Sequence, residues 1–543
     1  MAVDAVTEPE FGEKRVHHIA ALCLGIFCIV VGVPLWWKTT EVYRVSLPYS
    51  DIQHLSDTKI EYLTQVEVVW AVNKDVGSVF LSDLAVQLNR QLEKKDQPSL
   101  TSRFEVIVRE AEKAELAALE KIGAVSDLQQ IMPSDALHKY SVIITKTSSL
   151  LSQPILALNN NIFLPYNGAA ESALAAQITQ LLKDVMREST VVKNLEAARR
   201  MKIERPDKSS MRSFRFHPGY DVTFTLMVPE PERVRVDWDI ETGIKDYLQP
   251  LKASLDEYID ISISSQVLYF IGIGGRPKKG DGFYFFQEQD LPHIINPLES
   301  KLGSHASNNP GMNFIVYIPT VNKRPLFIHD NKGVPVPSNS FLSPRWGGVM
   351  IYNSESSGVN SSQPDSNVNV DMHKVMEVFI SQMRLLLNIN AQLMTEELLI
   401  VQTGSARLQQ WELSAWLRSR CVENLAAATL TLQSLAQLLE EIGNIVINDE
   451  IGKEVESAVA SIKDSQRQLL LGDLHAAFLA SRAAVEASEL AFFHPSLLEL
   501  LYFPEDQKFA IYIPLFLPIS IPILTSVLHA IKFFRRPPKI KSE

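Results

Sequence analysis

IAALCLGIFCIVVGVPLWW, residues 19–37, is the stretch that decides the fold of this 543-residue chain. It is apolar and contains no charged side chain, so it can cross a membrane as a helix. Its counterpart near the other end, FAIYIPLFLPISIPILTSVLHAI at residues 509–531, is uncharged as well. Each has about the 20 residues that a helix needs to cross a hydrocarbon core of about 30 Å. No comparable run lies between them, so the sequence predicts two transmembrane helices and excludes a many-helix transporter.

The first stretch could be a retained signal anchor or a cleaved signal peptide. Val33-Pro34-Leu35-Trp36-Trp37 follows its apolar core and lacks the small residues that a signal peptidase site requires. The two tryptophans suit an aromatic belt at the lipid headgroups. We therefore expect a retained transmembrane helix at residues 16–37.

Charge beside the second stretch sets the predicted orientation. The tail at residues 532–543 contains five basic side chains: Lys532, Arg535, Arg536, Lys539 and Lys541. Excess Lys and Arg stay in the cytosol, so this tail and residues 1–15 are both predicted to be cytosolic. Subtracting the −2 of residues 1–18 and the +4 of the tail from the total of −11 leaves about −13 for the non-cytosolic loop, which disfavours nucleic-acid binding.

Alternating strand and helix patterns fill residues 38–404 and predict an α/β domain. Period-two alternation predicts strands at Val66–Val72, Phe104–Val108, Tyr140–Thr145, Val222–Val228, Val234–Trp238, Ile259–Phe270, Met312–Ile318 and Val349–Tyr352. Helical periodicity predicts helices at Val79–Lys94, Glu110–Lys121, Glu171–Glu188, Glu241–Tyr258 and Asp371–Leu387. The strand order is not predicted by these patterns.

Residues 405–508 have a different character, rich in Ala, Leu, Glu and Gln. Apolar residues at helical spacing predict helices at Leu408–Gly443, Ile451–Leu471 and Leu474–Phe493. We expect an antiparallel hairpin or three-helix segment that leads directly into the second span at residues 509–531.

A search for reactive groups in the loop finds little that predicts catalysis. Cys421 is the only cysteine between the two spans, and its apolar helical setting favours a buried free thiol. No HExxH, paired CxxC or GxSxG motif is present, and nothing in the sequence predicts a metal or a cofactor. Gly272-Ile273-Gly274-Gly275 follows a strand but precedes Arg276-Pro277, so a hairpin-like turn is favoured over a phosphate loop.

Two surface features of the loop are candidates for contacts. Arg345 and Trp346 lie in Ser343-Pro344-Arg345-Trp346-Gly347-Gly348, which is either a ligand contact or, more consistent with its composition, a rigid turn before a strand. Asn360 begins the sequon Asn360-Ser361-Ser362 within a polar stretch, which predicts a glycosylation site.

Both spans contain residues that suit contact with other helices. Pro514, Pro518 and Pro522 recur every four residues along one side of the second span, and each removes a backbone donor. The freed carbonyls are costly to expose to lipid, so neighbouring helices are expected to cover them. Gly25, Cys28 and Gly32 form a small-residue stripe on the first span that permits close helix approach.

Several blocks of sequence resemble the PIG-S family. They are PLWWKTTE (34–41), SLPYS (46–50), INPLES (295–300), SPRWGG (343–348), MEVF (376–379) and a long block within 501–518 that includes LYFP, DQK and LFLP. These blocks extend from the first span to the last.

The resemblance implies a non-catalytic subunit of the endoplasmic-reticulum GPI transamidase, which replaces a C-terminal signal peptide with a preassembled GPI lipid. It implies that catalysis belongs to the cysteine-protease-like PIG-K, and that PIG-T, PIG-U and a zinc-peptidase-like subunit are the other partners. It carries over no catalytic residue, which agrees with the absence of a Cys/His dyad.

We therefore expect a luminal α/β domain, then a luminal helical hairpin or three-helix segment, flanked by two transmembrane helices. The leading hypothesis is a structural and assembly subunit. One alternative is a subunit that presents the proprotein or the GPI lipid, and a less favoured one is a luminal hydrolase with an unrecognised site.

Overall fold

The structure is a computed structural model that describes residues 8–41, 43–72, 78–92, 100–131, 136–148, 150–199, 212–299, 301–302, 307–354, 366–389, 398–401, 406–442, 445–499 and 505–535. Its α-helices are α1 Glu8–Phe27, α2 Val33–Thr40, α3 Tyr49–Asp57, α4 Ser78–Leu92, α5 Lys113–Glu120, α6 Glu171–Met186, α7 Glu188–Arg199, α8 Ile240–Gly243, α9 Gln249–Leu255, α10 Pro292–Glu299, α11 Met372–Leu386, α12 Gln410–Glu441, α13 Asp449–Leu471, α14 Leu474–Phe492, α15 Pro495–Glu499 and α16 Glu505–Arg535.

The strands are β1 Ile60–Ala71, β2 Leu100–Glu110, β3 Lys139–Lys146, β4 Ile155–Leu156, β5 Asn161–Tyr166, β6 Gly219–Val228, β7 Val234–Asp237, β8 Asp260–Tyr269, β9 Lys278–Lys279, β10 Tyr284–Gln287, β11 Gly311–Tyr317, β12 Leu326–His329, β13 Ser340–Ser343, β14 Gly347–Ile351, β15 Ser366–Asn369 and β16 Leu399–Ile400. The chain forms two compact units: residues 1–53, 431–457 and 487–543 make one, and residues 54–430 and 458–486 make the other.

The larger unit contains a six-stranded sheet with the order β16-β4-β5-β3-β1-β2. Its four long strands are parallel, and β4 runs antiparallel to β5. β3 is buried along nearly its whole length, as expected for a parallel strand that is covered on both faces. One of the clusters that cover the sheet packs Val69, Ile143 and Phe163 against Leu128 and Ile131.

A five-stranded sheet in the same unit has the order β13-β14-β11-β6-β8. Its strands are parallel except for β13, which pairs antiparallel with β14. Helix α11 packs on it through Phe379, whose ring lies 5.2 Å from Phe314 and 6.0 Å from Phe224. Asp371 caps the helix, since its side chain accepts from the N–H of His373 at 3.0 Å.

The described chain confirms the mixed α/β architecture and the helical C-terminal region. Each predicted strand and helix has a counterpart, and the hairpin-or-bundle segment is three helices, α12 to α14. Two smaller sheets, β12-β10-β9 and β15-β7, are also present. Among their strands only β7 was predicted, as Val234–Trp238, and the others have four residues or fewer.

Two local predictions require correction. The predicted helix Glu110–Lys121 begins only at Lys113, because β2 continues to Glu110 and Glu112 forms a capping box with Glu115. Gly272–Gly275 begins no helix, but it links β8 to β9 rather than turning a hairpin; the hairpin is the next connection, from β9 to β10.

One helical stretch, Gly12–Lys38, is long and apolar enough to cross a membrane. It includes a π-helical turn at Cys28–Gly32 between α1 and α2. In α16, Ala510–Pro518 and Ser520–Arg535 are bent by 50° relative to each other, and they reach a comparable length only if both halves form one span. The structure therefore contains one candidate membrane helix near the N-terminus, and the second predicted span is not confirmed.

Candidate functional site

The two apolar helices of the smaller unit pack side by side in opposite directions. The ring of His18 lies 4.5 Å from that of Phe533, whereas Trp36 makes an edge contact with Tyr512 at 5.8 Å. Eighteen residues separate His18 from Trp36, which corresponds to about 27 Å of helix at 1.5 Å per residue. The pairing therefore extends over about the thickness of a hydrocarbon core.

The predicted small-residue stripe on the first helix is divided between two environments. Gly25 is buried, and a Cβ atom there would lie 2.6 Å from Cγ2 of Val527 on α16. Gly32 is exposed, with open space around its Cβ position, and Cys28 is partly exposed. Gly25 thus permits close approach within the chain's own helix pair, whereas the rest of the stripe remains a predicted surface for other helices.

The three prolines of α16 are exposed. The contacts of α16 with the first helix involve Tyr512, Val527 and Phe533. Pro514 and Pro518 fall on the side away from Tyr512, whereas Pro522 lies about three turns before Phe533 and on nearly the same side. The helix also bends by 50° between Pro518 and Ser520, so a single proline surface for another helix stays a prediction.

Nearby hydroxyl groups satisfy some of the α16 carbonyls. Oγ1 of Thr525 donates to the carbonyl oxygens of Ile521 and Pro522 at 3.0 and 2.9 Å, and Oγ of Ser520 donates to that of Leu517 at 3.3 Å. The carbonyls whose usual donors the three prolines remove are those of Ala510, Pro514 and Pro518, and neither hydroxyl bonds to any of them. In a hydrocarbon setting these three carbonyls would need other partners.

Arg345 and Trp346 lie in the connection between β13 and β14, and their environments differ. Trp346 is 8% exposed and belongs to a core cluster with Tyr317 and Val349. Arg345 is exposed, has a φ of 52°, and donates from Nε to the carbonyl oxygen of Ser213 at 3.3 Å. The structure places the two residues in a turn, with Trp346 holding it to the core, so only Arg345 remains on the surface as a predicted luminal contact.

Cys421 is a buried free thiol, as predicted. Its Sγ lies 3.4 Å from Oγ of Ser465 and 3.5 Å from the carbonyl oxygen of Ala477, within the packed helices α12 to α14. Burial raises the pKa of the thiol to about 11. Since the thiolate is the nucleophilic form, this environment keeps the sulfur unreactive at neutral pH.

The first C-terminal helix, α12, is attached to the six-stranded sheet through a buried arginine that no sequence motif indicates. The guanidinium carbon of Arg418 lies 5.2 Å from the ring centre of Tyr62 and 5.8 Å from that of Tyr140. Burial raises the pKa of Tyr62 to about 12, so the ring stays neutral beneath the cation. The sequence signal, two arginines between apolar residues in WLRSRC at 416–421, did not distinguish a buried side chain from a surface charge.

A buried ion pair joins α12 to α11. Arg384 forms an ion pair with Glu412, whose other carboxylate oxygen accepts the N–H of Gln409 at 3.0 Å. Trp411 and Arg187 line a small open cavity beside this pair. Burial lowers the pKa of Arg187, although the charge of Glu412 partly opposes this shift. These contacts fix the helical segment on the α/β body and show no arrangement of nucleophile and base.

Metal binding and glycosylation are the remaining questions of site chemistry. Among the described residues, no group of three or more His, Cys, Asp or Glu side chains is arranged to hold a metal ion. Asn360 lies outside the described residues, so its glycosylation stays a prediction.

Comparisons with known proteins connect these features to a family. The family model for PIG-S, described as phosphatidylinositol-glycan biosynthesis class S protein, matches residues 23–537. The human protein named GPI-anchor transamidase component PIGS is 40% identical, over 96% of each chain. The fission-yeast (Schizosaccharomyces pombe) GPI transamidase component PIG-S homolog is 27% identical, over 97% of this chain and 86% of its own. The family match covers the greater part of the first apolar helix, all the sheets and the second apolar helix, and the chain therefore belongs to the PIG-S family.

Proposed function

We propose that the chain is a non-catalytic structural and assembly subunit of the GPI transamidase in the endoplasmic-reticulum membrane. The observation that carries the proposal is the full-length similarity to proteins named as components of that enzyme. In this role the chain supports the transfer of a preassembled GPI lipid to the C-terminus of a proprotein. Its partners are PIG-K, PIG-T, PIG-U and the zinc-peptidase-like subunit.

Catalysis is assigned to the cysteine-protease-like partner rather than to this chain. Cys421 supports that assignment, because a thiol with a pKa of about 11 inside a helix bundle is not a nucleophile for acyl transfer. Its hydrogen-bond neighbours are also hydroxyl and carbonyl groups rather than a histidine. An acyl-transfer nucleophile requires an adjacent base, which these neighbours do not supply.

The topology that accompanies this role has two spans, cytosolic termini and a luminal loop. The opposite directions of the two apolar helices support it, because a side-by-side pair places residues 1–15 and 532–543 on the same side of a membrane. The basic tail then sets that side as the cytosol. Glycosidase digestion of the wild-type protein beside Asn360→Gln tests the luminal position of the loop, and protease protection of tagged termini tests the two ends.

Gene deletion and rescue test the function. Deletion is expected to abolish GPI-anchored proteins at the cell surface and to reduce recovery of the other subunits as one complex. Rescue by Cys421→Ser should equal rescue by wild type, since the variant removes the only loop thiol while preserving a small buried polar group. Loss of transamidation with Cys421→Ser in a normally assembled complex would show that the chain takes part in the chemistry.

A further inference from the structure

β8 forms one edge of the five-stranded sheet and pairs, within the described chain, with β6 alone. Its register with β6 continues without interruption from Gly219↔Asp260 to Val228↔Tyr269, so no bulge interrupts the edge. At ten residues it is longer than a typical strand of five or six. The molecule therefore presents a long and regular sheet edge.

The hydrogen bonds of β8 show which backbone groups point away from the sheet. The N–H of Asp260 donates to Pro218 at 2.8 Å, and the N–H of Phe270 donates to Val228 at 3.0 Å. Because backbone direction alternates along a strand, the even-numbered residues face β6 and the odd-numbered residues face outward. The outward residues are Ile261, Ile263, Ser265, Val267 and Tyr269. Their N–H and C=O groups form a free row: the ladder to β6 uses the even-numbered residues, and no other backbone hydrogen bond among the described residues involves the odd-numbered ones.

This edge lacks the usual protection against pairing with another strand. Residues 261–269 contain no charged side chain, whereas β2, the long edge strand of the other sheet, carries Arg103, Glu105 and Arg109. Charged side chains on edge strands are a common means of preventing association. The contrast indicates that β2 is protected and that β8 is open.

The end of β8 adds exposed apolar surface and backbone strain. Val267 is 45% exposed, Tyr269 is 56% exposed and Phe270 is 69% exposed. Phe270 also has a φ of 60°, which is unfavourable for a bulky side chain. Strained backbone that holds an aromatic ring toward solvent is found at binding sites more often than elsewhere.

We propose that the outer edge of β8 binds an extended, uncharged segment of another subunit of the complex, which adds a sixth strand to this sheet. A strand is the ligand whose donors and acceptors repeat at the spacing of the free row. Apolar side chains at alternate positions of that segment would cover Val267 and Tyr269. The proposal rests on the assembly role proposed above, and it favours a permanent subunit over a passing substrate because an open apolar edge is prone to aggregation.

Hydrogen exchange of the intact complex, compared with the isolated full-length chain in the same detergent, tests the pairing directly. The N–H groups of the five outward residues are expected to exchange at least about tenfold more slowly in the complex, because they become hydrogen-bonded in a sheet. The inward N–H groups of Ser262, Ser264 and Gln266 should change little. Equal exchange of the outward groups in both samples would overturn the proposal, and so would protection that is already present in the isolated chain.

A matched pair of lysine variants tests the consequence for assembly. Val267→Lys is expected to reduce recovery of the other subunits, because it places a charge beside the added strand. Ile107→Lys introduces the same charge at a 56% exposed apolar residue of β2 and should leave recovery unchanged. Ser265→Pro removes one outward N–H without removing a bond to β6, and it should act like Val267→Lys while the isolated chain keeps its unfolding temperature.

Crosslinking identifies the occupant and separates this proposal from the assembly role. A photoreactive residue at Tyr269 should crosslink to another subunit, and a crosslink to the proprotein alone would contradict the assignment. If the lysine variants assemble normally while deletion of the chain still disperses the complex, the edge proposal fails and the assembly role stands. If deletion leaves the other subunits assembled, the assembly role itself fails.

Discussion

Replacing Arg384 by Met is expected to destabilise the folded chain by about 3–5 kcal/mol, because it leaves a buried carboxylate without its cation. The side chains of Arg384 and Glu412 are 15% and 4% exposed, so solvent cannot replace the lost partner. At a charge separation of about 4 Å and an effective dielectric constant of about 20, the attraction is about 4 kcal/mol. Arg187 offsets part of this loss through its own attraction to Glu412, which favours the lower end of the range.

Denaturant unfolding of the full-length chain in detergent measures this change. Trp411 and Trp416 line the cavity beside the ion pair and are buried, so their fluorescence reports its loss. Arg467→Met is the matched control, since its pair with Asp464 is exposed and is expected to contribute less than about 1 kcal/mol. Adding Glu412→Gln to Arg384→Met should restore part of the stability. The reasoning is refuted if Arg384→Met costs no more than the exposed control.

Three further outcomes follow from other sites. Cys421 should resist a maleimide reagent at neutral pH until the chain unfolds, because burial raises its pKa to about 11; rapid labelling of the native chain would contradict the described packing. Gly25→Leu should disrupt the pairing of the two apolar helices, measured by crosslinking between engineered cysteines, and Val527→Ala should partly restore it by making room for the new side chain. Burial alone would raise the pKa of Glu67, but hydrogen bonds from Lys139 and Arg109 hold this pKa below its usual value of 4.5. The stability that these bonds give should be complete above about pH 4.5 and lost as the pH falls through the lower pKa of the folded state. Glu67→Gln should weaken this pH dependence of the free energy of unfolding.

The elements of this protein could be predicted from the sequence because its patterns are strong. β1 and β3 combine β-branched residues with period-two or continuous apolar runs, and α12 to α14 have long runs of helix formers. Short elements such as β9 and β16 have two residues each, too few to show any period. They form because neighbouring strands supply hydrogen-bond partners.

The candidate sites were predictable only as residue types at given spacings. The proline stripe of α16 was visible because four-residue steps keep side chains on one side of a helix. Nothing in the sequence distinguished Trp346, which belongs to the core, from Arg345, which is exposed at the same turn. Neighbouring residues in a turn point in different directions, and only the surrounding packing decides which one is covered.

The sequence by itself determined the two apolar stretches, the α/β region between them, the helical segment after it and the family. These properties depend on hydrophobic pattern, charge and residue identity along the chain, which are local quantities. The tertiary structure alone decided the strand order, the burial of Arg418 between two tyrosine rings, and the position of β8 at an uncharged edge. Those properties depend on which distant segments meet, and many arrangements of the same elements are compatible with one local pattern.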